Sequence, residues 1–114
     1  MRFSIERIED TTVFTLKTKK IDAENSSALK AELLIVCQPN IKGLIMDLST
    51  VEYVDSTGLG AILLAHRQLS EHEIPLILVG LQDSVLSLLR LSQLIDLFDV
   101  FDTVDEALEE MSEI

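Results

Sequence analysis

Seven contiguous residues, Val54-Asp55-Ser56-Thr57-Gly58-Leu59-Gly60, hold the side chains with the most chemistry in this chain. An acid is followed by two adjacent hydroxyls and two glycines, between a strand-like apolar stretch and an apolar helical run. That order predicts a helix N-terminus at Asp55-Ser56, where free amide N–H groups and the positive end of the dipole favour negative charge. A hydroxyl there is a candidate acceptor for a phosphate. The plainer account is capping: Asp55 or Ser56 is the N-cap, and Gly58 and Gly60 permit close helix–sheet packing. Two glycines in a first turn cost about 1 kcal/mol each against alanine, and capping alone needs neither of them.

Catalytic readings of the same residues fail on spacing. Gly58-x-Gly60 continues to Leu63, so the third glycine of a dinucleotide-binding turn is missing. A nucleophile elbow needs glycine two residues before Ser56, where Val54 stands. Asp55-Ser56-Thr57-Gly58 has one residue too many for an aspartic-protease motif and has no second copy. No phosphate-binding Gly-x-x-x-x-Gly-Lys loop is present. His66 and His72 lie on one helix without sharing a face, a poor metal pair, and His66 falls at the edge of an apolar stripe. We therefore expect no enzyme, no metal and no cofactor.

The elements that must position these residues read from periodicity. Phe3 to Ile8 and Thr12 to Lys17 alternate as a hairpin about Glu9-Asp10. A helix is expected from Asp22, carried by Leu29, Leu33 and Val36 and closed by Pro39. Gly43 to Leu48 and Pro75 to Leu81 are continuous apolar runs, the pattern of strands buried on both faces. Ser49 to Glu52 is a connection, and the helix after Ser56 carries Leu59, Ile62, Leu63, His66 and Leu69 on one face. Val85, Leu86, Leu89 and Ile95 mark a third helix capped by Asp83 or Ser84. A short strand near Asp99 to Asp102 and a helix from Val104 to Met111 complete the order. Strands alternating with helices predict an α/β fold: a mainly parallel central sheet, an N-terminal antiparallel hairpin and four helices. Functional loops of such sheets gather at the carboxyl ends of strands, and the Ser56 segment falls at one.

At 114 residues the chain suits a single domain spanning 1–114. Its formal charge of −11 argues against nucleic acid or an anionic membrane as partner. After Arg90 the only charged residues are acids. One cysteine, Cys37, sits in an apolar run and is expected to be a buried small hydrophobe in a reducing compartment. With no signal-peptide-like start and no membrane-length apolar run, a cytoplasmic, acidic monomer is the expectation.

Val54-Asp55-Ser56-Thr57-Gly58-Leu59-Gly60, with the Ala61-Ile62-Leu63-Leu64 helix behind it, resembles the signature of STAS domains, especially bacterial anti-sigma factor antagonists. The resemblance covers essentially the whole chain and includes the Ile21-Asp22 turn before the first helix. It implies a phosphorylation-switched regulator that binds an anti-sigma factor, itself a serine kinase with ATP on the kinase rather than on this chain. A serine phosphatase would reverse the mark. Ser56 would be the acceptor, with Thr57 as second choice. Asp22, Asp55, Ser56, Thr57, Gly58, Leu59 and Gly60 would form the partner-binding surface, the two glycines letting the partner approach the backbone. The alternative is a STAS adaptor subunit of a transport or signalling complex without sigma-factor control. The chain departs from the family pattern at Lys20 and Gln93, where glycine is common, and at Thr57, where serine is common.

Overall fold

The computed structural model describes residues 1–112; the last two residues of the expected 1–114 domain lie outside the described residues. A five-stranded sheet runs in the order β1 (Phe3–Ile8), β2 (Thr11–Leu16), β4 (Gly43–Asp47), β6 (Leu76–Val79), β7 (Asp99–Phe101). β1 pairs antiparallel to β2, with Phe3 opposite Leu16 and Ile8 opposite Thr11. The other three pairings are parallel. This is the α/β architecture expected from the alternation of strands and helices, with the hairpin strand at the edge.

Strand periodicity divides the core in two, because successive side chains point to opposite faces. Phe14, Leu16, Leu44, Met46 and Leu78 face a large cluster closed by α1 (Ser26–Val36), α2 (Ser56–Ser70) and α3 (Asp83–Leu91). Val13, Ile45, Ile77 and Val79 face the other way, under Ala107 of α4 (Val104–Ser112). β4 and β6 are therefore buried on both sides, as their unbroken apolar runs require.

Four expectations are corrected. The first helix begins at Ser26, because Asp22 to Asn25 form a turn in which the Asn25 and Ser26 N–H groups donate to the Asp22 carbonyl. The third helix is preceded by Gln82, not capped by Asp83 or Ser84: Gln82 Nε2 donates to the Ser49 carbonyl at 2.8 Å, and Ser84 Oγ to the Glu52 carbonyl at 2.5 Å. That helix ends at Leu91, and Ile95 opens a separate 3-10 turn at Ile95–Leu97. Cys37 is half-buried rather than buried; it ends α1, and desolvation pushes its thiol up to about 11.

The expected connection between β4 and α2 also holds an element that periodicity does not reveal. β5 (Tyr53–Val54) pairs in parallel with β3 (Lys20–Ile21) as a separate two-stranded ladder. Two residues are too few to show a period.

Candidate functional site

The ladder ends where the site begins. Ile21 and Val54 are buried and pin the two chains to the core, while Lys20 and Tyr53, one register step earlier, are exposed. The next residues, Asp22 and Asp55, leave the ladder side by side, tied by the Asp55 N–H donating to the Ile21 carbonyl at 3.1 Å. Residues distant in sequence thus meet at one end of α1 and α2.

Asp55 is the N-cap of α2, in extended backbone conformation. A single oxygen, Oδ1, accepts three bonds: from the Thr57 N–H at 2.9 Å, the Gly58 N–H at 3.0 Å and Thr57 Oγ1 at 2.6 Å. The Ala23 N–H, from the loop after β3, acts on the same carboxylate. Donors aimed at the charged form favour it. The Thr57 hydroxyl first, then the Gly58 N–H, hold the Asp55 carboxyl below the usual carboxylate range.

Ser56 is the first helical residue, and it is exposed. Its Oγ has no hydrogen-bond partner among the described residues, whereas the neighbouring Thr57 hydroxyl is engaged by Asp55. The helix terminus is less open than the sequence implied. Of the first three N–H groups of α2, those of Thr57 and Gly58 are occupied by Asp55, leaving that of Ser56. The dipole still favours negative charge there, within the first turn.

The two glycines do different things. Gly58 is buried, and a Cβ there would meet the Ile21 carbonyl oxygen at 2.5 Å and Ile21 Cγ2 at 2.8 Å. Only a bare backbone lets α2 start flush against β3, so Gly58 is what brings the Asp22 loop to Ser56. Around a Cβ at Gly60 the space is open within 4 Å. Leu59 is half-buried against the main core. Asp22, Asp55, Ser56 and Thr57 therefore form the solvent-facing group, with Gly58 and Leu59 beneath it.

The Asp22 loop is held by its own network. Asp22 Oδ1 accepts from the Glu24 N–H, and the Asp22 N–H donates to Asn25 Oδ1 at 2.9 Å. Asn25 Nδ2 in turn donates to the Lys20 carbonyl. Lys20 Nζ lies 3.2 Å from Asp22 Oδ2 and 3.8 Å from Glu24, and hydrogen bonding and attraction to Asp22 raise its pKa. Lys20, which departs from the family pattern, thus acts as a brace for Asp22. Two members of this surface were not singled out in sequence: Asn25, whose signal was an Asn just before a helix, and exposed Tyr53, the chain's one tyrosine. His66 lies elsewhere, edge-on to Phe98 with ring centroids 5.6 Å apart, at the margin of the core as its stripe implied. Among the described residues no group of three His, Cys, Asp or Glu side chains is placed to hold a metal ion, and no helix is long and apolar enough to cross a membrane.

Comparison with known proteins places the fold that carries this geometry. A protein of Thermotoga maritima, TM1081, described as an anti-sigma factor antagonist, is 26% identical with a TM-score of 0.86, over 96% of this chain and 94% of that one. SpoIIAA of Bacillus, an anti-sigma factor antagonist, is 21% identical in its unphosphorylated form, with a TM-score of 0.83 over 99% and 98% of the two chains. The murine anion transporter Slc26a9 contains the same fold: at 17% identity and a TM-score of 0.78 it matches 96% of this chain but 19% of its own length. The model of the STAS domain matches residues 2–107, nearly the whole chain. This protein belongs to the STAS domain family.

Proposed function

We propose that this chain is a non-catalytic anti-sigma factor antagonist, acting in the cytoplasm as one unit over residues 1–114, which binds an anti-sigma factor and is released by phosphorylation of Ser56. The observation that carries the reading is the contrast between the two hydroxyls: Ser56 Oγ is exposed and unengaged, whereas Thr57 Oγ1 is bound to Asp55. A kinase meeting this loop finds one free nucleophile. Ser56 Oγ would attack the γ-phosphorus of kinase-bound ATP, its proton passing to a base on the kinase and ADP leaving. Asp55 is a poor candidate for that base, since the donors on its Oδ1 hold its carboxyl below the usual carboxylate range. A serine phosphatase would hydrolyse the ester and restore binding. The likeness to TM1081 and SpoIIAA supports the role, and SpoIIAA is also known in a phosphorylated form.

The added charge, about −1.5 to −2, would stand beside Asp22 and Asp55. Pressed against a nucleotide-bearing partner it would weaken binding by roughly a thousandfold through like-charge repulsion. Incubation with ATP and the serine kinases of the source organism, followed by mass-spectrometric mapping, tests this. Transfer to Ser56 is expected, lost in Ser56→Ala and retained in Thr57→Val. Ser56→Asp should fold as the parent and lose the kinase. The Slc26a9 likeness, which concerns fold alone, motivates the second reading of an adaptor in a transport or signalling complex; absence of transfer to Ser56 or Thr57 from every kinase tried would favour it.

A further inference from the structure

In a chain with 20 acids and nine bases, four of the nine bases, Arg2, Lys17, Lys19 and Lys20, collect at one corner of the fold. The Lys17 N–H donates to the Arg2 carbonyl at 2.8 Å, continuing the β1–β2 register one step beyond Phe3 opposite Leu16. Arg2 and Lys17 are therefore directly opposed on the same side of the hairpin, an arrangement that destabilises a strand pair. Lys19 is fixed next to them: its carbonyl accepts from the Glu52 and Tyr53 N–H groups at 2.6 and 3.2 Å. Arg2, Lys17 and Lys19 are all exposed, and none has a carboxylate within ion-pair distance among the described residues; Lys20 alone is paired, with Asp22 and Glu24. The fold gains nothing from this clustering.

The corner adjoins the Ser56 site through β5, since Tyr53 contacts Lys19 at one end and the chain reaches Ser56 three residues later. Lys19 and Lys20 thus lie along the β3–β5 ladder that leads to Asp22 and Asp55, and Arg2 and Lys17 lie at the end of the adjoining hairpin. We propose that this cationic corner is a second docking point, which receives a carboxylate-bearing patch on the same protein that engages Ser56; it rests on the function proposed above. A protein surface can match neighbouring charges of two signs, and complementarity of that kind fixes orientation and speeds encounter. A nucleic acid or an anionic membrane cannot. Either would meet Asp22 and Glu24, 3.2 and 3.8 Å from Lys20, on a chain of net charge −11.

An amide NMR titration of the full chain with a glutamate-rich peptide at low salt tests the corner without the kinase. Shifts should concentrate at residues 2, 17–20 and 53, persist in Ser56→Asp, and weaken at least about fivefold in affinity in a Lys17→Glu, Lys19→Glu double variant with unchanged spectral dispersion. Shifts spread equally over Lys42, Arg67 and Arg90, or unaffected by the double variant, would overturn the proposal. So would tighter binding of a short DNA duplex or of phosphatidylserine vesicles than of the peptide. With a kinase that phosphorylates Ser56 in hand, the double variant should associate about tenfold more slowly at low salt, the difference fading at high salt; an unchanged rate also overturns it. Failure to find any such kinase counts against the function proposed above and leaves the peptide result to decide the corner.

Discussion

Asp55 shows how one carboxylate can set the chemistry of its neighbours. By holding the Thr57 hydroxyl it separates two adjacent hydroxyls that composition alone treats alike. Its bonds also make the cap sensitive to acid. Because the folded carboxyl lies below its usual range, its contribution to stability is complete above the ordinary carboxylate pKa and is lost as pH falls through the lower folded value. Asp55→Asn keeps an N-cap acceptor but cannot titrate. The thermal midpoint of the parent should therefore exceed that of Asp55→Asn at neutral pH, and the gap should close in strong acid; a gap that widens on acidification would contradict the assignment. Sequence singled out Asp55, Ser56 and Thr57, and the family resemblance preferred Ser56 over Thr57 as acceptor. A physical ground for that order was not legible, because the 2.6 Å bond that engages the Thr57 hydroxyl depends on side-chain rotamers.

At the scale of elements, the long periodic segments and the three-residue strand β7 were legible, and the two-residue strands were not. The helix carrying Ala61, Ile62, Ala65 and Leu69 and the doubly buried strands follow from their apolar spacing. β3 and β5 escaped because each is two residues long and owes its conformation to its partner, not to its own pattern. Yet that ladder sets the Asp22 loop against α2. Helix ends depended on the same local detail. α3 closes at Gln93, whose φ of 59° is left-handed, and the Leu94 N–H returns to the Leu89 carbonyl at 2.9 Å. Glycine occupies such a position without the steric penalty of a Cβ. Gln93→Gly, at an exposed site away from Ser56, should stabilise the protein by about 0.5–1 kcal/mol, seen as a higher urea midpoint with unchanged slope.

For the molecule as a whole, the two faces of the sheet do different work. The face under α1, α2 and α3 carries the larger cluster, with Phe14 fully buried and stacked on Phe3 at 5.2 Å. Phe14→Ala should cost about 3–5 kcal/mol in denaturant unfolding, since the sheet around it cannot collapse into the void. α4 guards the opposite face and sends its acids outward. This two-sided arrangement was readable from sequence because doubly apolar strands demand cover above and below. The position of the cationic corner was not, since it arises only when the end of β2 turns toward β5. The occupied Thr57 and Gly58 amides carry one last consequence. With Asp55 already seated on them, a phosphate on Ser56 would find only the Ser56 N–H left at the helix terminus and would otherwise face water. On the proposed reading, the mark is written on the surface and erased there. The protein then behaves as a one-bit memory whose reset time is set by the eraser enzyme, independent of how often the domain itself opens.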